Sequence, residues 1–308
     1  MMRRLTYAVT IAAAALAAPV FHAQSPSGWP QFLGPDRDNT TRQTIPAGAT
    51  LAEAWRADVP AGTSGIVVSG TRLITGGDDD AREFVVAFDV DSGRELWRST
   101  LGPAHETADP QATPVIIGDT VVTVSATCVV HGLDIATGQS RWQKSLVTEF
   151  KSRLAPRACA MSPMIDGATV VVPTGAPATG TTLAAFDAAT GTVVWSAANL
   201  PVSLNTPAGL GTFKGERLVL YHHAKPPGTG GLSAVRVKGG TTDIAWQIDL
   251  KAGMSDTAPL ALPGNRVLLQ TWNDSALIDV SSTPRIVWTT TDLWALYPPP
   301  THHAGVLY

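Results

Sequence analysis

After its N-terminus the 308-residue chain has no stretch of about 20 consecutive apolar residues, so no later segment has the length of a membrane-spanning helix. Charge is sparse too. Charged residues make up 15% and the formal net charge is −3, which leaves no basic footprint for nucleic acid or an anionic membrane. Only two cysteines occur, Cys128 and Cys159. That number excludes a framework of several disulfides, and their wide separation excludes the close pairs of zinc and redox motifs. One bridge between them is permitted, as are two small buried thiols. The chain also lacks a Gly-x-x-x-x-Gly-Lys phosphate loop and a Gly-x-Ser-x-Gly nucleophile elbow, so hydrolase and nucleotide-enzyme readings have no support. No segment beyond the N-terminus keeps an apolar period of 3.6 residues between caps, and no helix is expected there.

What is present begins with Met1-Met2-Arg3-Arg4 and an alanine-rich apolar run from Leu5 to Val20. This is the layout of a secretory signal peptide, assigned to residues 1–23, with cleavage after Ala23 or earlier at Ala17. A lipid anchor would need a cysteine near the cut, and none is there. The expected location is therefore periplasmic or secreted, without an anchor. The body is rich in Val, Thr and Trp, with 28 Gly and 23 Pro, a composition of short strands and tight turns.

Three segments align without gaps: Ala87 to Trp97, Gly132 to Trp142 and Ala185 to Trp195. Each carries Asp-x-x-Thr/Ser-Gly-x-x-x-Trp. The Asp carboxylate can accept from backbone N–H groups ahead of it, the Gly supplies a residue with positive φ, and the Trp lies four residues into the outgoing strand. A Trp at one fixed place in every unit fills the gap between neighbouring sheets. Trp55, Trp97, Trp142, Trp195, Trp246 and Trp288 are spaced by 42, 45, 53, 51 and 42 residues, the length of a four-stranded propeller blade. Within each period a Thr113-Pro114-type pair, repeated at Ser162-Pro163, Thr206-Pro207 and Ala258-Pro259, leads into the first strand. The turns before Trp246 and Trp288 have degenerated.

The reading is an all-β chain: a β-propeller of four-stranded antiparallel blades over residues 51–308, preceded by an extended segment, residues 24–50. Five full blades are expected, plus an outermost strand at Leu51–Val59 and an opening strand at Thr301–Tyr308. That count describes a seven- or eight-bladed ring truncated at its C-terminus, at about 45 residues per blade.

The repeated unit resembles those of the PQQ-like β-propeller family, and Gly28-Trp29-Pro30-Gln31-Phe32-Leu33-Gly34-Pro35 is similar to the opening of its exported bacterial members. The resemblance implies two branches. One is a dehydrogenase that holds pyrroloquinoline quinone (PQQ) and calcium on the propeller axis, with an Asp base and an adjacent Cys-Cys ring. The other is a non-enzymatic propeller such as the outer-membrane-protein assembly lipoprotein. Adjacent cysteines and the lipid-attachment cysteine are both missing here. The expectation is a non-catalytic scaffold with no cofactor, binding protein, peptide or small ligand at a propeller face or the axial channel.

If the leading strands line that channel, Gln111, Asn205, Asp256 and His303 converge near one mouth, where polar groups can bind a ligand or merely cap strand starts. His222-His223 and His302-His303 point to opposite faces if they lie on strands, so neither pair makes a metal site. Asp78-Asp79-Asp80 is expected to be a solvated hairpin loop.

Overall fold

The computed structural model describes the chain except residues 1–27, 51, 107–109, 153–157, 176–179, 199, 202–205, 226–228, 252–254 and 294–298. The expected signal peptide lies outside the described residues.

A two-residue strand, Gly28–Trp29 (β1), precedes the first sheet. That sheet contains Val67–Ser69 (β2), Arg72–Asp78 (β3), Arg82–Asp89 (β4) and Glu95–Pro103 (β5). The second contains Val115–Ile117 (β6), Thr120–Val124 (β7), Val129–Asp134 (β8) and Ser140–Ser145 (β9), and is followed by a short helix, Leu146–Phe150 (α1). The third runs through Met164–Asp166 (β10), Thr169–Pro173 (β11), Thr181–Asp187 (β12) and Val193–Ala198 (β13). The fourth comprises Gly209–Phe213 (β14), Glu216–Lys225 (β15), Thr229–Lys238 (β16) and Thr241–Leu250 (β17). Leu260–Leu262 (β18), Arg266–Gln270 (β19), Ser275–Asp279 (β20) and Arg285–Thr290 (β21) form the fifth, and His302–His303 (β22) with Val306–Leu307 (β23) closes the described chain as a hairpin. Strands follow sequence order in every sheet, and every pairing is antiparallel. These are the five expected blades, all built as meanders.

The repeated unit makes each blade by the same local physics. The Asp89 carboxylate accepts from the Ser92 amide, Asp134 from Thr137 and Asp187 from Thr190. Gly93, Gly138 and Gly191 take φ of 69°, 71° and 70°, a region that costs a side chain about 1–2 kcal/mol. The register then slips at one place in all five blades, just after the residue that faces the Trp. In the first two blades this bulge turns the Trp across the gap to the next blade. Trp97 Nε1 donates to Ile135 O at 3.0 Å, and Trp142 Nε1 to Ala188 O at 3.0 Å. Each ring lies against the turn glycine of the following blade.

The apolar core consists of the layers between blades. Val121 packs towards the first sheet and Val122 towards the third, which explains why the β-branched runs are continuous rather than alternating: the sheet is covered on both faces. Layers around Tyr221 and Leu220 do the same on either side of the fourth sheet.

Several details depart from the sequence reading or settle what it left open. Residues 52–60 join no ladder among the described residues, although Trp55 still docks in the repeat's manner, with Nε1 donating to Val90 O at 2.8 Å and its ring against Gly93. Among the described residues no neighbouring sheet completes the hydrogen bonds of the expected strand. Cys128 and Cys159 are bonded to each other, with Cα atoms 5.2 Å apart, joining the β7–β8 loop to the segment leading into the third sheet. The helix α1 is capped by Ser145, which accepts from the Thr148 amide, and is too short to have left a periodic signal. Asp78 ends β3 buried, opposite Glu83, rather than in a solvated loop.

The Trp–Gly docking gives a direct test. A Cβ at Gly138 would lie 2.5 Å from the Trp97 ring, whereas one at Gly118 (φ 58°) meets nothing within 4 Å. Gly118→Ala should therefore cost only the backbone strain, about 1–2 kcal/mol, and Gly138→Ala a further 1–3 kcal/mol or so of overpacking. Denaturant unfolding of the two variants reads the difference; equal losses would mean that Trp97 is not seated on the turn.

Candidate functional site

Pro30 has no N–H, so β1 ends after two residues that pair with the inner edge of the first sheet, Gly28 opposite Ser69 and Trp29 opposite Val68. The chain then continues inside the ring of inner strands. Pro30 O accepts from Ile116 N of β6 at 2.8 Å, and Gln31 Oε1 accepts from Ile165 N of β10 at 3.0 Å. Arg37 Nη2 donates to Ala208 O, just before β14, at 2.6 Å, and Asn39 Nδ2 donates to Thr301 Oγ1, just before β22, at 2.8 Å. The first four sheets and the last hairpin thus meet on one short segment, Gly28–Asn39. It folds tightly on itself: Gly34 N donates to Gln31 O, Asn39 N donates to Leu33 O, and Gly34 lies under the Trp29 ring.

This fit carries costs. Leu33, Arg37 and Asn39 sit at φ of 69°, 56° and 60°, and such residues persist only where their surroundings over-determine them. Arg37 is 7% exposed and bonds only carbonyl-type oxygens, those of Ala208, Phe32 and Gln31. Among the described residues no carboxylate pairs with it, and its buried Nε has no hydrogen-bond partner. Burial alone pushes its pKa down to about 10.

Phe32 of this segment floors a cavity of about 500 Å³ at the mouth where the inner strands begin. The walls are the leads into five successive blades: Thr63 and Gly65, Gln111 and Thr113, Ala160 and Ser162, Pro207, and Asp256. A belt of hydrogen bonds braces them. Gly65 N donates to Thr113 Oγ1 at 3.1 Å, Thr113 N to Ser162 Oγ at 3.0 Å, and Thr206 Oγ1 to Ser255 O. The Thr and Ser before each Pro are therefore spent on the scaffold. Asp256 is held by Trp272 Nε1, which donates to Oδ2 at 3.0 Å.

Of the four residues singled out from sequence, the structure brings Gln111 and Asp256 to this one cavity. Asn205 lies outside the described residues. His303 is exposed on β22, paired with Val306, and does not line the cavity. Phe32, Thr63 and Trp272 were not foreseen; the signal for Phe32 was the Gly28–Pro35 motif, which read as a leader rather than as part of the site. A second cavity, of about 790 Å³, lies beyond the segment at the turn ends of the second and third sheets, lined by Pro30, Pro35, Ile117, Ile165 and Ala188 among others. The segment therefore contributes to the lining of both cavities, through Phe32 in one and Pro30, Gln31, Pro35 and Asp36 in the other.

This geometry defines a β-propeller whose axis is filled by its own chain. The family model described as outer membrane protein assembly factor BamB matches residues 47–176 and 81–308, and the chain belongs to this family of PQQ-like repeat propellers. No curated protein matches it. Among solved structures, BamB from Moraxella catarrhalis aligns over 78% of this chain and 65% of its own, at 20% identity and a TM-score of 0.56. The quinohemoprotein alcohol dehydrogenase from Comamonas testosteroni aligns over 87% and 49%, at 13% identity and 0.62, and a europium-containing methanol dehydrogenase over 88% and 59%, at 14% and 0.60. The chain thus spans about half to two thirds of the length of these structures, and at such identities the likeness is one of fold. No helix among the described residues is long and apolar enough to cross a membrane.

PQQ with calcium, implied by the dehydrogenase branch, needs an open axis and a set of oxygen ligands. Here Pro30, Gln31 and Arg37 occupy the axis, and among the described residues no three His, Cys, Asp or Glu side chains gather as a metal site. The residues present do not fit the group. His222 and His223 lie buried on opposite faces of β15, with His222 Nδ1 3.5 Å from Thr206 Oγ1 and His223 Nε2 3.4 Å from Ser233 Oγ. Burial pushes the His222 pKa down to about 3 and that of His131 down to about 4, so both are neutral packing groups at pH 7.

Glu83 behaves in the opposite sense. It is buried between the first two blades, where Oε2 accepts from Ala126 N at 2.9 Å, and burial pushes its pKa up to about 7, with a smaller push from Asp78. A folded carboxyl that holds its proton more tightly than the unfolded one contributes stability below pH 4.5 that is lost as pH rises through 7. Glu83→Gln should therefore gain on the parent protein by on the order of 3 kcal/mol between pH 4.5 and pH 8. The buried histidines titrate alike in both proteins and cancel. Urea unfolding at the two pH values measures the gain; a difference independent of pH would contradict the assignment.

Proposed function

We propose that this chain is a non-catalytic binding scaffold of the periplasm or the secreted fraction, presenting the mouth cavity and its surrounding loops to a protein, peptide or small ligand. The observation that carries the reading is the occupied axis: Pro30, Gln31 and Arg37 take the inner-strand hydrogen bonds where an axial cofactor would have to sit. The mouth retains Gln111, Asp256, Thr63 and Phe32 as contact groups, a mix of polar and apolar surface suited to orienting a bound partner. The structural likeness to an assembly factor agrees with this reading, while the likeness to two dehydrogenases makes the opposing one testable.

The test is reconstitution of the full-length protein with PQQ and calcium, followed by absorbance titration and a dye-reduction assay over a panel of primary alcohols. The expected result is no saturable PQQ absorbance change and no calcium-dependent dye reduction. Reproducible calcium-dependent reduction above the level of free PQQ would overturn the reading.

A further inference from the structure

We propose that the ring of inner-strand edges is a peptide-recognition channel, and that its resident segment, Gly28–Asn39, exchanges with the same segment of a second copy of this chain. The inference rests on reading the propeller as a binding scaffold, and deepens it by naming the ligand as an extended peptide.

The contacts themselves carry the argument. What the axis holds is bound as a peptide is bound: by a short β-pairing at Gly28 and Trp29, by a main-chain carbonyl at Pro30, by a carboxamide at Gln31 and by a guanidinium at Arg37. Inner strands present unpaired backbone groups to the axis, and added strands satisfy such edges in known modes of peptide recognition. No part of this chemistry depends on the segment being covalently attached to the same ring.

The attachment is also loose. Thr41 to Thr50 are all exposed. Among the described residues their hydrogen bonds and ion pair stay within residues 36 to 49: Gln43 N to Thr41 Oγ1, Ala49 N to Pro46 O, and Arg42 with Asp36. Ten such residues reach up to about 35 Å when extended, enough to carry the segment out of one channel and towards another. The seated state is burdened by three non-glycine residues at positive φ, Leu33, Arg37 and Asn39, so its hold is weaker than its contacts alone would give. An identical segment from a second copy meets the same contacts and the same costs, the condition under which swapping is cheap.

The test uses a fluorescein-labelled peptide of residues 28–39 and full-length chains, read by fluorescence polarisation. In the Arg37→Ala chain the resident segment competes poorly, so the peptide should bind at least tenfold more tightly than to the parent chain. A peptide carrying the same Arg37→Ala change should bind at least tenfold more weakly to that chain. Gln31→Ala and Asn39→Ala chains provide the same comparison if Arg37→Ala does not fold. Two differently tagged parent chains, mixed at high concentration and then diluted, should yield mixed dimers that a Gln31→Ala/Asn39→Ala double variant forms less. Failure of the folded variants to take up the peptide, or absence of mixed parent dimers, overturns the inference. Either failure leaves the scaffold reading standing, since only calcium-dependent dye reduction removes that.

Discussion

The inner strands of a propeller have one edge paired within their blade and one edge turned to the axis, and the backbone groups on that second edge must be satisfied. In this chain Gly28–Asn39 does so. It pairs with β2, accepts from Ile116 N and Ile165 N, and donates to Ala208 O. One segment thereby sets the spacing of four blades from the inside, while Trp97, Trp142 and their turn glycines set it from the outside. The blades are held at both radii. The belt of Thr113, Ser162 and Thr206 bonds closes the mouth between these two constraints, and the disulfide adds a covalent tie between the second and third blades at the same end.

The functional consequence follows from where these bonds fall. Groups that would otherwise face an axial ligand, among them Ile116 N, Ile165 N and Ala208 O, are engaged by the chain itself. The proposed contact surface lies above Phe32, where Gln111, Thr63 and the Trp272-held Asp256 line one cavity, with a separate cavity at Pro30 and Pro35. On the scaffold reading proposed above, a propeller that fills its own axis offers surfaces and loops rather than a sealed reaction chamber. Arg37 is the anchor of this arrangement. Its buried guanidinium donates to Ala208 O, Phe32 O and Gln31 Oε1, and a side chain without donors would leave the Ala208 carbonyl without that partner.

Much of the fold was legible because its determinants are local. Asp89, Asp134 and Asp187 announce their turns, Gly93, Gly138 and Gly191 their positive φ, and the fixed Trp offset announces blades of four strands. The shared bulge was half legible, in the small Ala87, Gly132, Ala185 and Ala234 that face a Trp. What escaped depends on contacts between distant residues. The Cys128–Cys159 bond needs the packing of two blades, and residues 52–60, read as a strand, join no ladder among the described residues. Within the site, Gln111 and Asp256 were reached by counting back from the Pro of each leading strand. His303 was reached only by rough alignment, since no Pro follows it, and it is exposed on β22. Phe32 and Arg37 belong to a segment with no repeat to align, and nothing local in Arg37 says that it is buried.

The central claim, that the axial segment organises the ring, is most directly tested by hydrogen exchange at the amides of Ile116 and Ile165 in the parent protein and in Arg37→Leu, whose changed side chain bonds neither strand. If the segment seats as a unit, both amides are strongly protected in the parent and lose protection together, by tenfold or more, when the Arg37 anchor is removed. Unchanged protection at both amides in a folded Arg37→Leu protein would contradict the account.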